Sequence, residues 1–476
     1  MFKMKERSQT EHPVDWLAIS ANWVIRVIGA AIFLVLVWYA FRYTQYMVPM
    51  QGYEYPVDKG DSEIANLLTV LLFLGAIAGL MFVDKKVTAR VKNIIKRASL
   101  VVSMLWQGAW GYLWIAAADR CPKGDQESVY KSAAGFLTGD YHALSKGSYC
   151  GLYPHQLGLA ALEEGIFRIV GRADYHVIQF LFVLMIAGIC FCVYKILNEL
   201  TEQTAFVVAG TVLSGSCMAP VFYSCWVYGE VPYVFFALLA IWFLVCYVKR
   251  EKWWYLALFT VSVTFAMLVR ENALILIVAF ALAAGVWVLA KRDYKLLVAG
   301  LCAFLIPALA YEGIFAMYEA RSGYEHSDGL PSNDFIYIGM QETEGRYGWD
   351  YYKSYQVYYD NGKDTKKTEE AVSGLIAERW SEMRETPGYL KTFCRRVMLF
   401  CVCGTRRQRG AWACCGDHDH RRFFVQRSLG GEDKIYFPIL YDDVSGGDDR
   451  LSGDDNCMPE TVRNGAEKNE PGKWYR

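Results

Sequence analysis

The stretch that decides the fold is YLALFTVSVTFAMLVRENALILIVAFALAAGVWVLA, residues 255–290. It holds two apolar runs, each close to the length that crosses a bilayer, and only Arg270, Glu271 and Asn272 separate them. Ionisable residues between two such runs are costly in a membrane unless they reach water or a polar cavity. The stretch therefore predicts a tight helical hairpin whose polar turn lies at one face of a membrane.

Further apolar runs on both sides of this hairpin bring the total to about nine spans of roughly 20 residues. They are Ala21–Phe41, Ile64–Val83, Ala98–Ala118, Val177–Ile196, Thr204–Tyr223, Val231–Val248 and Leu296–Tyr318. The composition agrees, because 54% of the 476 residues are hydrophobic and 21% are charged. Lys plus Arg and Asp plus Glu each number 49, so no net charge attracts nucleic acid. The sequence therefore predicts an all-α polytopic membrane protein that does not bind nucleic acid.

Basic residues predict the orientation of these spans. They concentrate in four segments that fall on one side of the membrane if nine spans alternate, and the side richer in Lys and Arg is cytoplasmic. The segments are Lys3–Arg7, Lys85–Arg97, Lys249–Lys252 and Lys291–Lys295. We therefore expect a cytoplasmic N-terminus, and we expect the loop 119–176 and the turn at Arg270 on the extracytoplasmic face.

The loop 119–176 is too long for a plain connection, and loops of this length usually carry function. Helical periodicity predicts two amphipathic helices on the membrane surface, Gln126–Leu137 and Gln156–Val170. The second helix places its apolar residues on one face and its charged residues on the other. The apolar set is Leu159, Leu162, Ile166, Ile169 and Val170, and the charged set is Glu163, Glu164 and Arg168.

Three charged residues on the predicted outer face each leave two interpretations open. Asp125 is a helix N-cap, or it is a general base or electrostatic anchor at the lipid–water boundary. Glu230 lies in the first turn of a predicted helix, where its carboxylate is stabilised by the positive end of the helix dipole, or it is a second active-site acid. Arg270 forms an ion pair with Glu271 or Glu230, or its planar fork of donors holds a phosphate group. No glycine-rich nucleotide-binding motif appears, which fits a phosphate ligand carried by a lipid.

The order of elements in this region resembles that of the C-type membrane glycosyltransferases. A span, Asp125, a surface helix, the motif GDY…Y…YPHQLG between Gly139 and Gly158, and a second surface helix follow one another as in the first outer loop of that superfamily. The superfamily includes protein O-mannosyltransferases and lipid A aminoarabinose transferases, and the likeness is closest to bacterial members of glycosyltransferase family 39. The resemblance covers Ala98–Tyr318 and continues more loosely to about Phe400.

The resemblance implies roles for individual residues. Asp125 and Glu230 would be catalytic, and Arg270 with His155 would bind the phosphate of a polyprenyl-phosphate sugar donor. Supporting roles would fall to Glu127, Tyr153 and Asn272. Gln126 stands where a second acid would complete a metal-binding pair, so no cofactor is certain and a divalent metal remains open.

The implied reaction is transfer of the sugar to a lipid, glycan or protein acceptor at the extracytoplasmic face of the cell membrane. Two rival functions remain open. One is a transporter or flippase of lipid-linked saccharides, which typically shows an internal repeat and broken helices at mid-bilayer. The other is a non-catalytic membrane scaffold.

The chain divides into four predicted parts. Residues 1–97 hold a cytoplasmic segment and two extra spans, 98–318 the glycosyltransferase-like core, and 319–400 an extracytoplasmic aromatic-rich segment with a helix at Thr365–Glu385. In residues 401–476 the apolar runs give way to Cys, Arg, Gly and Asp. We interpret this tail as disordered or as the product of a shifted reading frame, in which case the enzyme would be inactive. Its Cys and His spacings match no dependable zinc pattern.

Cysteine usage adds one further expectation. Cys121 and Cys150 both lie on the predicted outer loop; incidental free thiols are the default interpretation, and a disulfide, which oxidising conditions permit there, is the alternative.

Overall fold

The computed structural model describes residues 13–50, 53–291, 295–325, 327–343, 346–348 and 352–394. Across these residues the protein is almost wholly helical, which confirms the all-α polytopic fold. The basic residues Lys3–Arg7 and the tail 401–476 lie outside the described residues, so the predictions made for them stay predictions.

Sixteen α-helices make up this fold within the described residues. In chain order they are α1 (Pro13–Arg42), α2 (Glu63–Asp84), α3 (Ala89–Ala118), α4 (Asp125–Thr138), α5 (Tyr149–Leu152), α6 (Leu157–Val170), α7 (Tyr175–Leu200), α8 (Thr204–Ser216), α9 (Ala219–Phe222), α10 (Glu230–Arg250), α11 (Trp253–Val269), α12 (Ala273–Lys291), α13 (Lys295–Ser322), α14 (Ser332–Gly339), α15 (Tyr352–Asp360) and α16 (Thr365–Glu385). Each predicted span is helical except Thr204–Tyr223, which is interrupted at Cys217 and Met218, and α16 has the bounds that periodicity predicted.

Seven helical segments in the described chain are long and apolar enough to cross a membrane. They are Ile19–Arg42, Glu63–Asp84, Ala89–Ala118, Tyr175–Leu200, Thr204–Cys225, Glu230–Arg250 and Lys295–Ser322. The two helices of the predicted hairpin, α11 and α12, are shorter apolar helices, with 17 and 19 residues. The segment Thr204–Cys225 is interrupted after α8, since Pro220 lies at the start of α9 and cannot continue a helical hydrogen-bond ladder.

An inner group of helices positions the loops that carry the predicted site. α7 packs between α3 and α10, and α10 packs along α11. A hydrophobic core forms where α10 to α13 meet. Its residues Phe259, Val263, Phe280 and Ala303 are fully or nearly fully buried. In contrast α2 has no buried residue, so its apolar side chains face outward, as expected for a helix surrounded by lipid.

The buried face of α6 only partly matches the predicted one: Leu159 is buried as predicted, but two of the acids are buried as well. Glu163 and Glu164 are 1% and 2% exposed, whereas Ile169 is 88% exposed. Glu164 is drawn inward because Tyr318 and Arg321 both donate hydrogen bonds to its carboxylate. Burial raises the pKa of Glu163 well above its usual range. For Glu164 the prediction failed because partners from α13 outweighed the apolar periodicity of the helix, whereas the carboxylate oxygens of Glu163 are buried without a hydrogen-bond partner among the described residues.

Two short antiparallel hairpins complete the structure. Strands β1 (Tyr43–Met50) and β2 (Tyr53–Gly60) pair with Tyr43 opposite Gly60, and they belong to a second compact unit. Strands β3 (Glu342–Thr343) and β4 (Arg346–Tyr347) follow α14. Neither hairpin was predicted from the sequence.

Candidate active site

Asp125 opens α4 and lies close to the two residues predicted to bind the donor phosphate, Arg270 and His155. Gly124 precedes it with φ +65°, a left-handed conformation that a side chain would strain, and this fixes where the helix begins. Partial burial raises the pKa of the Asp125 carboxyl, while the nearby Arg270 and His155 act in the opposite direction. The N-cap interpretation is wrong, because the cap residue is Gly124. Asp125 has no hydrogen-bond or salt-bridge partner within the described chain, and its side chain is open to solvent.

Arg270 and Glu230 form the ion pair that the sequence left open. Arg270 Nη1 lies 2.8 Å from Glu230 Oε1, and the guanidinium sits 5.1 Å from the centre of the Tyr228 ring. Both side chains are partly buried, 28% and 29% exposed. Glu230 Oε2 is buried without a hydrogen-bond partner among the described residues. The pair occupies one edge of the guanidinium, so the geometry leaves its other donors available to an anion.

His155 lies in a 3₁₀ turn, Pro154–Gln156, on the same side as Arg270. Its Nδ1 is 3.9 Å from Glu271 Oε2. Burial is the main cause that lowers the pKa of His155, and the charge of Arg270 adds to it against the opposing charges of Glu271 and Asp125. The Tyr311 hydroxyl fastens this turn to α11, because it lies within hydrogen-bonding distance of the backbone oxygens of His155, at 3.3 Å, and Met267, at 2.8 Å.

Two tyrosines that sequence reasoning left without a role also line this region. The hydroxyls of Tyr149 and Tyr228 are 3.4 Å apart. Burial raises the pKa of Tyr228 to about 12 and raises that of Tyr149 further, and the charge of Asp125 contributes to both shifts. Both phenols therefore stay protonated as hydrogen-bond donors beside a carboxylate. Their only signal in the sequence is their position within the turn-rich stretches that also carry His155 and Glu230.

Gln126 explains how α4 is held against the start of α10. Its side chain is 5% exposed, and its Oε1 accepts a hydrogen bond of 3.0 Å from the Val227 backbone N–H. Gln179 fixes the same stretch from α7, since its amide donates to Arg120 O at 2.9 Å and to Cys225 O at 3.4 Å. Gln126, which stands where a second acid would lie beside Asp125, therefore positions α4 relative to the start of α10.

Two glycines allow the end of α11, and with it Arg270, to approach the neighbouring helices. A Cβ added at Gly158 would lie 2.2 Å from the Leu268 carbonyl oxygen, and one added at Gly229 would lie 2.2 Å from that of Val269. Backbone atoms cannot move aside as a flexible side chain can. The absence of these two Cβ atoms therefore sets the position of the guanidinium relative to α6 and α10.

We expect Gly158→Ala to destabilise the protein by about 1–3 kcal/mol, the usual cost of overpacking, and to lower activity by displacing Arg270. Gly165→Ala in the same helix is the matched control, because nothing lies within 4 Å of its added Cβ. The control should be neutral or stabilising, by up to about 1 kcal/mol. Thermal unfolding of both variants in detergent measures the difference, and equal midpoints would contradict the close approach.

The segment that follows α13 covers the loop that carries His155. Ser327 Oγ donates to Gly151 O at 2.7 Å, and the Leu330 N–H donates to Leu152 O at 3.0 Å. Tyr153 meets Tyr355 through their hydroxyls, and its ring centre lies 5.9 Å from that of His155. These contacts place aromatic residues from two distant parts of the sequence beside the candidate site.

The remaining predicted residues are not drawn into the cluster. Glu127 faces another direction and pairs with Lys131 at 2.7 Å, while the side chain of Asn272 is exposed. Within the described part of the chain, no group of three or more His, Cys, Asp or Glu residues could hold a metal ion. Cys121 and Cys150 are free thiols, which agrees with the default interpretation and not with the alternative disulfide.

Residues 155–311 match the family model described as dolichyl-phosphate-mannose-protein mannosyltransferase, which confirms the resemblance to the C-type superfamily over about a third of the chain. The matched segment begins at His155 and contains Glu230 and Arg270, whereas Asp125 lies before it. No curated protein and no solved structure matches the chain.

Proposed function

Since residues 155–311 carry the segment typical of C-type membrane glycosyltransferases, we propose that the protein transfers a sugar from a polyprenyl-phosphate donor to an acceptor on the extracytoplasmic face. One observation carries the proposal. A solvent-accessible carboxylate without a partner, Asp125, lies close enough to the partly buried guanidinium of Arg270 for that charge to act on its pKa, although 145 positions separate the two residues in the sequence.

In this mechanism the acceptor hydroxyl attacks the anomeric carbon of the donor. The bond between that carbon and the phosphate oxygen breaks, a new carbon–oxygen bond forms, and Asp125 takes the hydroxyl proton. The polyprenyl phosphate leaves with the bonding electrons. Direct attack of this kind inverts the anomeric centre.

Arg270 would hold the departing phosphate. Glu230 fixes the guanidinium through one nitrogen, and this orientation directs its other donors without reorganisation during the reaction. Preorganised donors of this kind usually make a large electrostatic contribution to catalysis. The imidazole of His155, whose pKa is lowered by burial, and the phenol of Tyr228 would supply further donors near Arg270.

The pH dependence of transfer tests the role of Asp125. Only the ionised carboxylate accepts a proton, and its pKa is raised above the usual 3.8, so kcat/KM should fall as pH decreases through this raised value. The residual activity of Asp125→Asn should lack this acidic limb. A limb that persists unchanged in the variant would assign it to another group.

The donor class is tested with the full-length chain in proteoliposomes. We expect transfer of radiolabel from polyprenyl-phosphate sugars and none from nucleotide sugars. Transfer from a nucleotide sugar alone would contradict the proposal. Movement of an intact labelled lipid between leaflets, without transfer, would instead favour the transporter.

A further inference from the structure

A cavity of about 330 Å³ lies between α3 and α7, at the ends of these helices remote from the candidate active site. α3 contributes Asn93, Arg97 and Leu100 to its walls, and α7 contributes Phe191 and Lys195 among others. Arg97 and Ala118 are 21 residues apart on one helix, which corresponds to about 32 Å at the helical rise. This distance is close to the thickness of the hydrocarbon core, so the two sites lie near opposite faces of a bilayer.

The lining of the cavity suits an anion. Arg97 and Lys195 supply positive charge from two different helices, Asn93 and Asn198 supply amide donors, and no carboxylate lines the walls. Lys195 Nζ also lies 5.2 Å from the centre of the Phe191 ring. The same ammonium lies 5.6 Å from the centre of the Trp242 ring, and tryptophan is enriched at the membrane interface.

Two nearby acids, Asp84 and Glu199, pair with other bases. Asp84 pairs with Lys92 at 3.3 Å, and Glu199 pairs with Arg250 and with Lys249 at 3.9 Å. Arg97 and Lys195 have no ion-pair partner within the described residues. Their charges are therefore available to a ligand.

A buried lysine of α3, Lys96, joins the two helices that form the walls of the cavity. Lys96 is 8% exposed, and its ammonium donates to Asn198 Oδ1 at 3.2 Å and to Glu202 O at 3.4 Å. This contact joins α3 to the end of α7 and fixes the distance between the two walls. A buried lysine is costly unless it is hydrogen-bonded, so these two contacts stabilise its position between the helices.

We propose that this cavity binds the phosphate headgroup of an anionic membrane phospholipid. Arg97 and Lys195 contact the phosphate, the two asparagine amides donate to its oxygens or to the glycerol, and Leu100 and Phe191 lie along the start of the acyl chains. A lipid is favoured over a free anion because apolar and basic residues share the same walls. The proposal is independent of the transfer reaction and of Arg270.

The full-length chain in detergent is titrated with phosphatidylglycerol, with phosphatidylcholine and with inorganic phosphate, and its thermal unfolding is followed by tryptophan fluorescence. We expect phosphatidylglycerol alone to raise the midpoint. Arg97→Gln and Lys195→Gln should each weaken the apparent affinity by about fivefold, the effect of one basic residue at a lipid surface. Arg97→Lys should retain binding.

Arg90→Gln is the matched control, because Arg90 is an exposed base of α3 that does not line the cavity. It should respond to phosphatidylglycerol like the unaltered chain. The proposal is overturned if Arg90→Gln weakens binding as much as Arg97→Gln, or if phosphatidylcholine raises the midpoint equally. It is also overturned if inorganic phosphate at the same concentration reproduces the shift, because the site would then hold a free anion.

Discussion

Replacing Asp125 by Asn is expected to lower the rate of sugar transfer by roughly 10²–10⁴-fold, the usual contribution of a general base. The amide has almost the same shape as the carboxylate but cannot accept the proton of the acceptor hydroxyl. Because Asp125 has no hydrogen-bond partner within the described chain, the folded structure should tolerate the change. The measurement is kcat for transfer in proteoliposomes at constant protein content.

Glu127→Gln provides the control on the same helix. Glu127 pairs with Lys131 on an exposed face, and an exposed pair of this kind contributes little stability, so transfer should remain near that of the unaltered chain. If Glu127→Gln loses as much activity as Asp125→Asn, general damage to α4 explains both results. If Asp125→Asn transfers sugar normally, Asp125 is not the base.

Replacing Arg270 by Gln is expected to lower transfer by about 10²–10³-fold, similar to the loss of one preorganised donor at a developing negative charge. The departing phosphate would lose its cation, and the partly buried Glu230 would lose its partner. The variant should show a lower kcat and weaker binding of the donor. Both are measured with the polyprenyl-phosphate sugar at varied concentration.

A double variant separates catalysis from structure. If Arg270 serves only to neutralise Glu230, then Arg270→Gln combined with Glu230→Gln removes both charges and should restore folding and transfer together. If Arg270 holds the phosphate, the double variant recovers thermal stability but stays inactive. Recovery of full activity would leave the ion pair with a structural role alone.

Much of the architecture could be predicted from the sequence. The length of the apolar runs located the spans, and the polar triplet at Arg270 marked the break between α11 and α12. Turn-forming residues around Tyr153 separate α4 from α6, and the bounds of both helices were predicted to within about one residue. These features are local, because a span or a helix start depends on residues that are close along the chain.

The orientation of side chains around those helices was less predictable. Periodicity put Glu163 and Glu164 on the outer face of α6, yet both are buried. Periodicity also could not show that Gln126 accepts a hydrogen bond from a residue 101 positions away. Such assignments depend on partners supplied by distant segments, and a single helix contains no information about them.

The sequence by itself determined the membrane-embedded helical fold and the identity of the charged residues outside it, because hydrophobic length and ionisable side chains are properties of short segments. Only the tertiary structure decided that Asp125, Glu230, Arg270 and His155 share one region while Glu127 does not. Close packing at Gly158 and Gly229, together with the buried Gln126, brings those side chains together, and these contacts exist only once distant helices have assembled.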